Sequence, residues 1–205
     1  MITIIDYYTG NLGSIKNMLK RLGIDSQITN DKDAIENAEK LILPGVGHFD
    51  YGMQQLNNSG LIPLLNKKVL EDKTPILGIC LGVQLLTESS EEGTKKGLGW
   101  IKGKTIAFDK TKLASNQKIP NMGWAEVDNY SQSKLFANMH EEPRFYFVHS
   151  FHLELENATD CLVTSKYGFD FAAGIEHENI LGVQFHPEKS HKYGMKLLEN
   201  FYNNY

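Results

Sequence analysis

The chain has 205 residues, of which 41% are hydrophobic, and its formal net charge is −4. This hydrophobic content is enough for a full core and argues against global disorder. The negative charge gives no support for nucleic acid or an anionic membrane as a partner. Cys80 and Cys161 are too few for a disulfide framework, and no cluster of cysteine and histidine has the spacing of zinc ligands.

The N-terminal sequence and the hydropathy pattern predict a cytoplasmic protein. Residues 1–6 lack the basic start of a secretory signal peptide. No apolar run approaches the roughly 18 residues that a membrane-spanning helix needs. We therefore expect a soluble protein of the cytoplasm.

The first 80 residues alternate between short apolar runs and segments with helical periodicity. We predict strands over residues 2–5, 24–28, 41–43 and 76–79. We predict helices from Leu12 to about Gly23, over 31–38, and in two pieces over 50–70 divided around Ser59-Gly60. This alternation favours a parallel, doubly wound sheet, whose sites lie beyond the carboxyl ends of the strands.

The second half of the chain has a different pattern. Residues 88–99 are charged and rich in glycine, which is typical of a surface loop. Strands separated by turn signals are predicted over residues 100–108, 123–127, 145–155, 161–167, 169–175 and 180–185, and a closing helix over 192–202. They predict an antiparallel portion packed on the same fold. We find no repeat or linker in the sequence and predict one domain, residues 1–205.

Cys80 lies between Gly78 and Gly82, where an apolar run meets a helix-forming segment. This pattern predicts a strand, a sharp turn and a helix with the cysteine at the apex, the thiol counterpart of the G-x-S-x-G nucleophile elbow. The glycines allow strand and helix to approach closely, and a helix N-terminus favours thiolate over thiol. The alternative is a buried structural cysteine, which is what we expect of Cys161 in its apolar segment.

A second motif, His186-Pro187-Glu188, follows the last predicted strand. Proline keeps the preceding backbone extended, and residues two apart in an extended chain face the same way. Glu188 is therefore expected to accept a hydrogen bond from the His186 ring and fix its tautomer. With Cys80, the pair predicts a nucleophile, a base and an orienting carboxylate. Taken alone, a surface histidine and glutamate at a strand end is the plainer interpretation.

A glycine-rich strip, residues 44–47, follows the third predicted strand. Backbone N–H groups of Gly45, Val46 and Gly47 are candidates for binding an oxyanion, with a second donor from Leu81 just after the nucleophile. An ordinary strand–helix turn is the alternative. The strip lacks the lysine of a nucleotide phosphate loop, so a nucleotide site is unsupported.

Gln84 lies one helical turn after Cys80 and on the same face, where it is able to bind a polar substrate. The alternative is a partly buried helix glutamine without a ligand. Among the other histidines, we place His48 and His149 near the site. We expect His152 to be an exposed strand residue.

The motifs around Cys80 and His186 resemble the signatures of class I glutamine amidotransferases. Further stretches resemble the glutaminase subunits of imidazole glycerol phosphate synthases. These stretches are Asn11-Leu12, Leu43-Pro44-Gly45-Val46-Gly47-His48-Phe49, Pro120-Asn121-Met122-Gly123-Trp124 and Tyr146-Phe147-Val148-His149-Ser150-Phe151. The resemblance covers the chain from about residue 1 to residue 205, and the motifs occur in the family order.

The resemblance implies a class I glutamine amidotransferase fold: a central, mostly parallel sheet flanked by helices, with an added antiparallel portion. It implies hydrolysis of L-glutamine to glutamate and ammonia without a cofactor or metal. By the same resemblance, Gly47, Gln84, Ser150 and Phe151 would hold the glutamine. The residues agree with this chemistry, because a thiolate is able to attack the carboxamide and His186 to protonate the leaving ammonia, before water hydrolyses the thioester.

The resemblance also implies a partner. In this family the ammonia passes through a tunnel to a separate (β/α)8 cyclase subunit, which makes imidazole glycerol phosphate and an aminoimidazole carboxamide ribonucleotide in histidine biosynthesis. The chain has no room for a second, ammonia-using domain, so we expect a heterodimer with such a subunit.

Three positions depart from the family pattern. Tyr8 stands where the family usually has glycine, Asn121 where it has histidine, and Ala125 where it has asparagine. They fall in loops that the family places near the synthase contact. The candidate partner-interface residues are Tyr8, Asn11, Asn121, Met122, Trp124 and Ala125.

These departures keep the choice of partner open. Some bacteria have paralogues of both subunits that supply ammonia for amidino-sugar formation on surface polysaccharides, and this is the second interpretation. A stand-alone thiol hydrolase on the same fold is a third, against which the stretches around Trp124 and His149 argue. A binding subunit with a dead site is a fourth, and the complete Cys80, His186 and Glu188 set argues against it.

Overall fold

The computed structural model describes residues 1–128 and 133–205. Its strands are β1 (Ile2–Ile5), β2 (Ser26–Thr29), β3 (Lys40–Gly45), β4 (Ile76–Cys80), β5 (Ser89–Ser90), β6 (Gly103–Ala107), β7 (Asn121–Asp128), β8 (Arg144–His149), β9 (Phe151–Leu155), β10 (Cys161–Tyr167), β11 (Phe169–His177) and β12 (Ile180–Val183). Its α-helices are α1 (Leu12–Arg21), α2 (Lys32–Glu36), α3 (Phe49–Asn58), α4 (Ile62–Asn66), α5 (Leu81–Leu85) and α6 (His191–Asn204).

All of these strands belong to one sheet, whose main path runs β2-β1-β3-β4-β12-β11-β10-β7-β8. The neighbours from β2 to β12 are parallel, and those from β12 onwards are antiparallel. Strands β5, β6 and β9 branch from β11. The predicted fold class is confirmed: helices flank a central sheet that joins a parallel part to an antiparallel one.

Helices cover both faces of the parallel strands, as strand alternation requires. On β1, Ile4 packs in a cluster that includes Leu19 of α1 and Leu197 of α6. The next residue, Ile5, packs in a second cluster that includes Met53 of α3 and Leu85 of α5. Strand β1 is therefore apolar at successive positions because both of its faces are buried.

Some element boundaries differ from the sequence prediction. Strand β3 continues through Pro44 to Gly45, which pairs with Cys80 in the parallel ladder, so residues 44 and 45 do not break the strand. The single run predicted over 145–155 is two strands with Ser150 between them. The division of the helical segment at Ser59-Gly60 is confirmed, and Gly60 has a φ of +65°.

Strand β4 turns into α5 through a very close approach of backbone to backbone. A Cβ atom on Gly82 would overlap the carbonyl oxygen of Leu43 in β3. A Cβ atom on Gly78 would lie 2.9 Å from the backbone of Val83. The glycine spacing around Cys80 is thus a requirement of packing, since it lets α5 begin directly against the sheet.

We predict that Gly82→Ala lowers the free energy of unfolding by about 3 kcal/mol, because the added Cβ would overlap the backbone carbonyl of Leu43, which is part of the sheet. Urea unfolding followed by circular dichroism measures this. Gly13→Ala is the matched control, because Gly13 lies in α1 with nothing within 4 Å of an added Cβ. The control is expected to keep or slightly raise stability. Equal midpoints for the two variants would contradict the packing argument.

Candidate active site

A cavity of about 340 Å³ opens at the carboxyl ends of β3, β4 and β12. It is lined by Val46, Gly47, Cys80, Leu81, Gln84, Glu92, Pro120, Val148, His149, Ser150, Phe151 and His186. The cavity therefore brings together most of the predicted site residues. Gly45 and Glu188 stand behind this lining.

Cys80 is the last residue of β4 and directly precedes α5. Its backbone has φ +53° and ψ −112°, a conformation that a residue with a side chain adopts only when the surrounding structure enforces it. The enforcing contacts are those of Gly78 and Gly82. The predicted strand, turn and helix are present, with the thiol 7% exposed at the cavity.

His186 and Glu188 form a buried pair. The His186 Nδ1 atom lies 2.7 Å from Glu188 Oε1, and both side chains are 2% exposed. The contact was predicted, but its local cause was not. Glu188 lies in a 3₁₀ turn, Pro187–Lys189, so the pair does not come from two residues of an extended chain. A carboxylate only accepts, so the pair places the proton of the neutral ring on Nδ1.

The second ring nitrogen of His186, Nε2, is buried and has no hydrogen-bond partner among the residues that the structure describes. Burial lowers the pKa of His186, but hydrogen-bond and charge interactions with Cys80 and Glu188 outweigh it and raise the pKa above its usual range. Cys80 is thus close enough to interact electrostatically with the ring, although the sulfur and Nε2 do not form a hydrogen bond of normal geometry. This arrangement favours the protonated form of the His186 ring.

The glycine-rich strip has two backbone N–H groups, those of Val46 and Gly47, that are available to a ligand. Gly45 is fixed in the ladder opposite Cys80, and the carbonyl of Pro44 accepts a bond of 2.5 Å from the buried hydroxyl of Tyr7. Within the described residues, the N–H groups of Val46 and Gly47 donate to no acceptor. Gly47 has a φ of +108°, which favours glycine at this position.

Leu81 is the first residue of α5, so its N–H group has no acceptor inside the helix. It lies at the cavity next to the sulfur-bearing residue. The two predicted sources of oxyanion donors, the strip and Leu81, therefore face the same space.

Gln84 is buried, and its amide nitrogen is fully engaged. Nε2 donates to Gln184 Oε1 at 3.0 Å and to the carbonyl of Phe151 at 3.4 Å. Its own oxygen, Oε1, is left to face a ligand. Gln84 is therefore able to accept hydrogen bonds from a substrate but has no N–H group to offer it.

His149 lies at the cavity, as predicted, but deep in the wall. Its Nδ1 atom is 2.8 Å from the carbonyl of Phe151, and its Nε2 atom is 3.0 Å from Nδ2 of Asn121. The carbonyl only accepts, so Nδ1 carries the proton and Nε2 accepts from Asn121. Burial lowers the pKa of His149 to about 4, and the bond to Phe151 offsets this only in part.

Two other histidines differ in outcome. His48 caps α3, where its Nδ1 accepts a bond of 3.2 Å from the N–H of Asp50. The expectation that His152 is exposed is wrong, because the residue is 6% exposed and its ring lies 4.9 Å from that of Phe108. Strand β9 pairs with both β6 and β11, and this pairing buries the side chain.

The sequence analysis missed two residues of this site. Glu92 lines the cavity, and its Oε2 accepts a bond of 2.7 Å from the N–H of Phe49. It lies in the segment interpreted as a charged surface loop, where nothing distinguishes it from Glu91. Gln184 is fully buried behind the cavity. Its position two residues before His186 was the available signal.

The partner-interface candidates divide into two groups. Tyr8, Met122 and Trp124 are 65%, 61% and 45% exposed, and Asn11 is exposed as well. Asn121 and Ala125 differ from the expectation, because β7 turns alternate residues inwards. Asn121 is 5% exposed, and Ala125 is partly buried against the core, so both present less surface than the other four candidates.

Two classes of feature are absent from residues 1–128 and 133–205. No group of three or more His, Cys, Asp or Glu side chains in these ranges is arranged to hold a metal ion. No helix in them has the length and apolar character to cross a membrane.

The buried His149 predicts a pH dependence of stability. The pKa is about 4 in the folded state and about 6.5 in the unfolded state, so the unfolded state binds more protons between these values. The contribution of His149 to the free energy of unfolding is fully present above pH 6.5. It is lost as the pH falls towards 4, by up to about 3 kcal/mol. Urea unfolding at pH 7 and pH 4.5 measures it.

The matched variant is His149→Gln, whose amide is able to donate to Phe151 and accept from Asn121 without titrating. We expect this variant to lose less stability than the wild type over the same pH interval. Parallel losses in the two proteins would show that His149 is not the responsible group.

Comparison with known proteins identifies the family of the chain. The family model "Glutamine amidotransferase class-I" matches residues 3–205. The "Imidazole glycerol phosphate synthase subunit HisH 2" of Methanococcus maripaludis is 56% identical over 201 residues, 98% of both chains. The protein of the same name from Pseudomonas aeruginosa is 45% identical over 201 residues, again 98% of both chains.

Among solved structures, PurLQS from Thermotoga maritima superposes with a TM-score of 0.71 at 20% identity, covering 98% of this chain and 97% of that one. At this identity the likeness concerns the fold alone. The family match over nearly the whole sequence and the relatives of high identity lead to one conclusion: the chain belongs to the class-I glutamine amidotransferase family.

Proposed function

We propose that this chain is the glutaminase subunit of an imidazole glycerol phosphate synthase and that it supplies ammonia to a (β/α)8 cyclase subunit. The observation that carries the proposal is the buried His186–Glu188 pair beside Cys80, in a chain that is 56% identical to a relative named as that subunit. The His186–Glu188 pair and the Cys80 thiol account for the hydrolysis of glutamine. The name of the relative indicates the synthase that would use the ammonia.

The mechanism begins with the Cys80 thiolate, which attacks the carboxamide carbon of glutamine. The negative charge that develops on the carbonyl oxygen is stabilised by the Leu81 N–H group and by an N–H group of Val46 or Gly47. His186, charged and held by Glu188, gives its proton to the leaving ammonia. Water then hydrolyses the thioester, with neutral His186 as the base, and releases glutamate.

Glutamine recognition follows from the groups that the cavity offers. Gln84 presents only an acceptor, and Glu92 adds a carboxylate, so we assign the α-ammonium group of glutamine to this side. Gly47, Ser150 and Phe151 offer backbone groups to the rest of the amino acid. A volume of about 340 Å³ lies near the lower end of ligand cavities, about 300–1,000 Å³, which suits a single amino acid.

The same proposal covers organisation and partner. We propose that residues 1–205 form one domain and that the protein works in the cytoplasm. Tyr8, Met122 and Trp124 form the contact with the cyclase subunit. Exposed aromatic residues and methionine are enriched in protein interfaces, and these three stand on the surface of the chain.

A second candidate is the paralogous subunit that serves amidino-sugar formation. The two relatives reported above both carry the number 2 in their names. The exposed Tyr8, with a φ of +66° where the family usually has glycine, adds bulk to the proposed contact. A different contact surface fits a different synthase partner, while the glutaminase chemistry stays the same.

We predict that a glutamine-analogue electrophile labels Cys80 and leaves Cys161 unmodified. Burial raises the pKa of the Cys161 thiol, so it is the poorer nucleophile. Mass spectrometry of the labelled chain locates the modification. Cys80→Ala is expected to abolish labelling and glutamine hydrolysis with the fold intact, whereas the matched Cys161→Ala keeps both. Label on Cys161 with Cys80 unmodified would contradict the assignment of the nucleophile.

The choice of pathway is tested by complementation. We predict that the chain, expressed with the cyclase from the same source, restores growth of a histidine auxotroph that lacks its own glutaminase subunit. The Cys80→Ala variant is the control and is expected not to restore growth. Failure to grow, with glutamine hydrolysis intact in the purified chain, would favour the sugar-amidation paralogue.

A further inference from the structure

The hydrogen bonds behind the cavity form one chain whose direction is set at a single atom, the carbonyl oxygen of Phe151. This oxygen accepts from His149 Nδ1 at 2.8 Å and from Gln84 Nε2 at 3.4 Å. A carbonyl has no hydrogen to donate, so Gln84 must turn its nitrogen towards it. The backbone therefore fixes the orientation of the Gln84 amide, whose nitrogen and oxygen are otherwise hard to tell apart.

The orientation of the Gln84 amide in turn fixes that of the Gln184 amide. The second hydrogen on Gln84 Nε2 points to Gln184 Oε1 at 3.0 Å. Because the oxygen of Gln184 is turned to Gln84, its NH₂ group is turned away, and it lies 3.9 Å from the sulfur of Cys80. Gln184 is fully buried, so water cannot replace this contact.

The contact places a neutral donor on the nucleophile. A distance of 3.9 Å is at the outer limit for an N–H group and sulfur, and a charged acceptor draws its donors closer. An amide has no proton to exchange, so it stabilises a thiolate without competing with His186 for the proton. His186 and Gln184 come from the same segment after β12, two residues apart, and both reach Cys80.

We propose that Gln184 is a further catalytic residue, whose amide N–H group donates to the Cys80 thiolate, and that Gln84 is the positioning residue that holds this amide in the donating orientation. The proposal deepens the proposed function and rests on it only for the identity of the reaction. The contact with the sulfur itself is independent of the substrate.

The test is the pH dependence of alkylation by iodoacetamide, a reaction of the thiolate that needs no glutamine. The Cys161→Ala background leaves one thiol. Gln184→Met keeps the length of the side chain and removes the donor. We expect it to move the alkylation midpoint of Cys80 up by about one pH unit, the usual scale for a hydrogen bond to a charged group. We expect kcat/KM for glutamine to fall about tenfold.

Asn200→Leu is the matched control. Asn200 is a buried amide that donates to the carbonyls of Leu135 and Ala137, far from the cavity lining. Its loss costs stability in the same way but is expected to leave the alkylation midpoint unchanged. A folded Gln184→Met with the wild-type midpoint would overturn the proposal, because a merely structural glutamine predicts that result.

Gln84→Met is the second variant and decides the matter if Gln184→Met does not fold. It removes the N–H group that donates to Gln184 and the one that donates to the Phe151 carbonyl, so we expect the midpoint to rise, by less than in Gln184→Met. An unchanged midpoint would refute the positioning role. Since alkylation does not involve glutamine, a chain that shows the shift but hydrolyses no glutamine would refute the proposed function and leave this inference standing.

Discussion

The site depends on one close approach, that of the first turn of α5 to the backbone of β3. Gly82 fits against the Leu43 carbonyl only because it has no Cβ atom. This approach holds Cys80 at a φ of +53° and sets it opposite Gly45 in the ladder. Strand β12 pairs with β4 on the other side and leads directly to His186. Three neighbouring strands thus place Cys80, the glycine-rich strip and His186 at one edge of the sheet.

A buried polar network then gives the pocket wall a defined polarity. It runs from Asn121 through His149 to the Phe151 carbonyl, and from there through Gln84 to Gln184. Every member except the carbonyl has two possible orientations, and the carbonyl decides them all. In an interior of low dielectric constant, an amide turned the wrong way would place like dipoles face to face. The acceptor that Gln84 shows to the cavity and the donor that Gln184 shows to Cys80 have this common origin.

Much of the fold and the centre of the site could be predicted from the sequence, because both depend on local patterns. The G-x-C-x-G spacing reports the Gly82 contact, and apolar runs report strands buried on both faces. Residues whose position depends on pairing between distant segments could not be predicted. The direction of Asn121 follows from its pairing with His149 across β7 and β8, and a shift of one residue would have turned it outwards. Glu92 is placed by its bond to Phe49, which no spacing reveals.

Two buried histidines lie at the cavity, and their neighbours give them opposite behaviour. His149 faces an amide and a carbonyl, neither of which carries a charge, so burial dominates and its pKa falls to about 4. His186 faces the Glu188 carboxylate and the Cys80 sulfur, and its hydrogen-bond and charge interactions with them outweigh burial and raise its pKa. Near neutral pH only His186 is able to hold a proton and then release it to a leaving group. Pairs of titratable groups whose surroundings drive their pKa values apart point to the acid–base residue, and this contrast supports the proposal that His186 has that role.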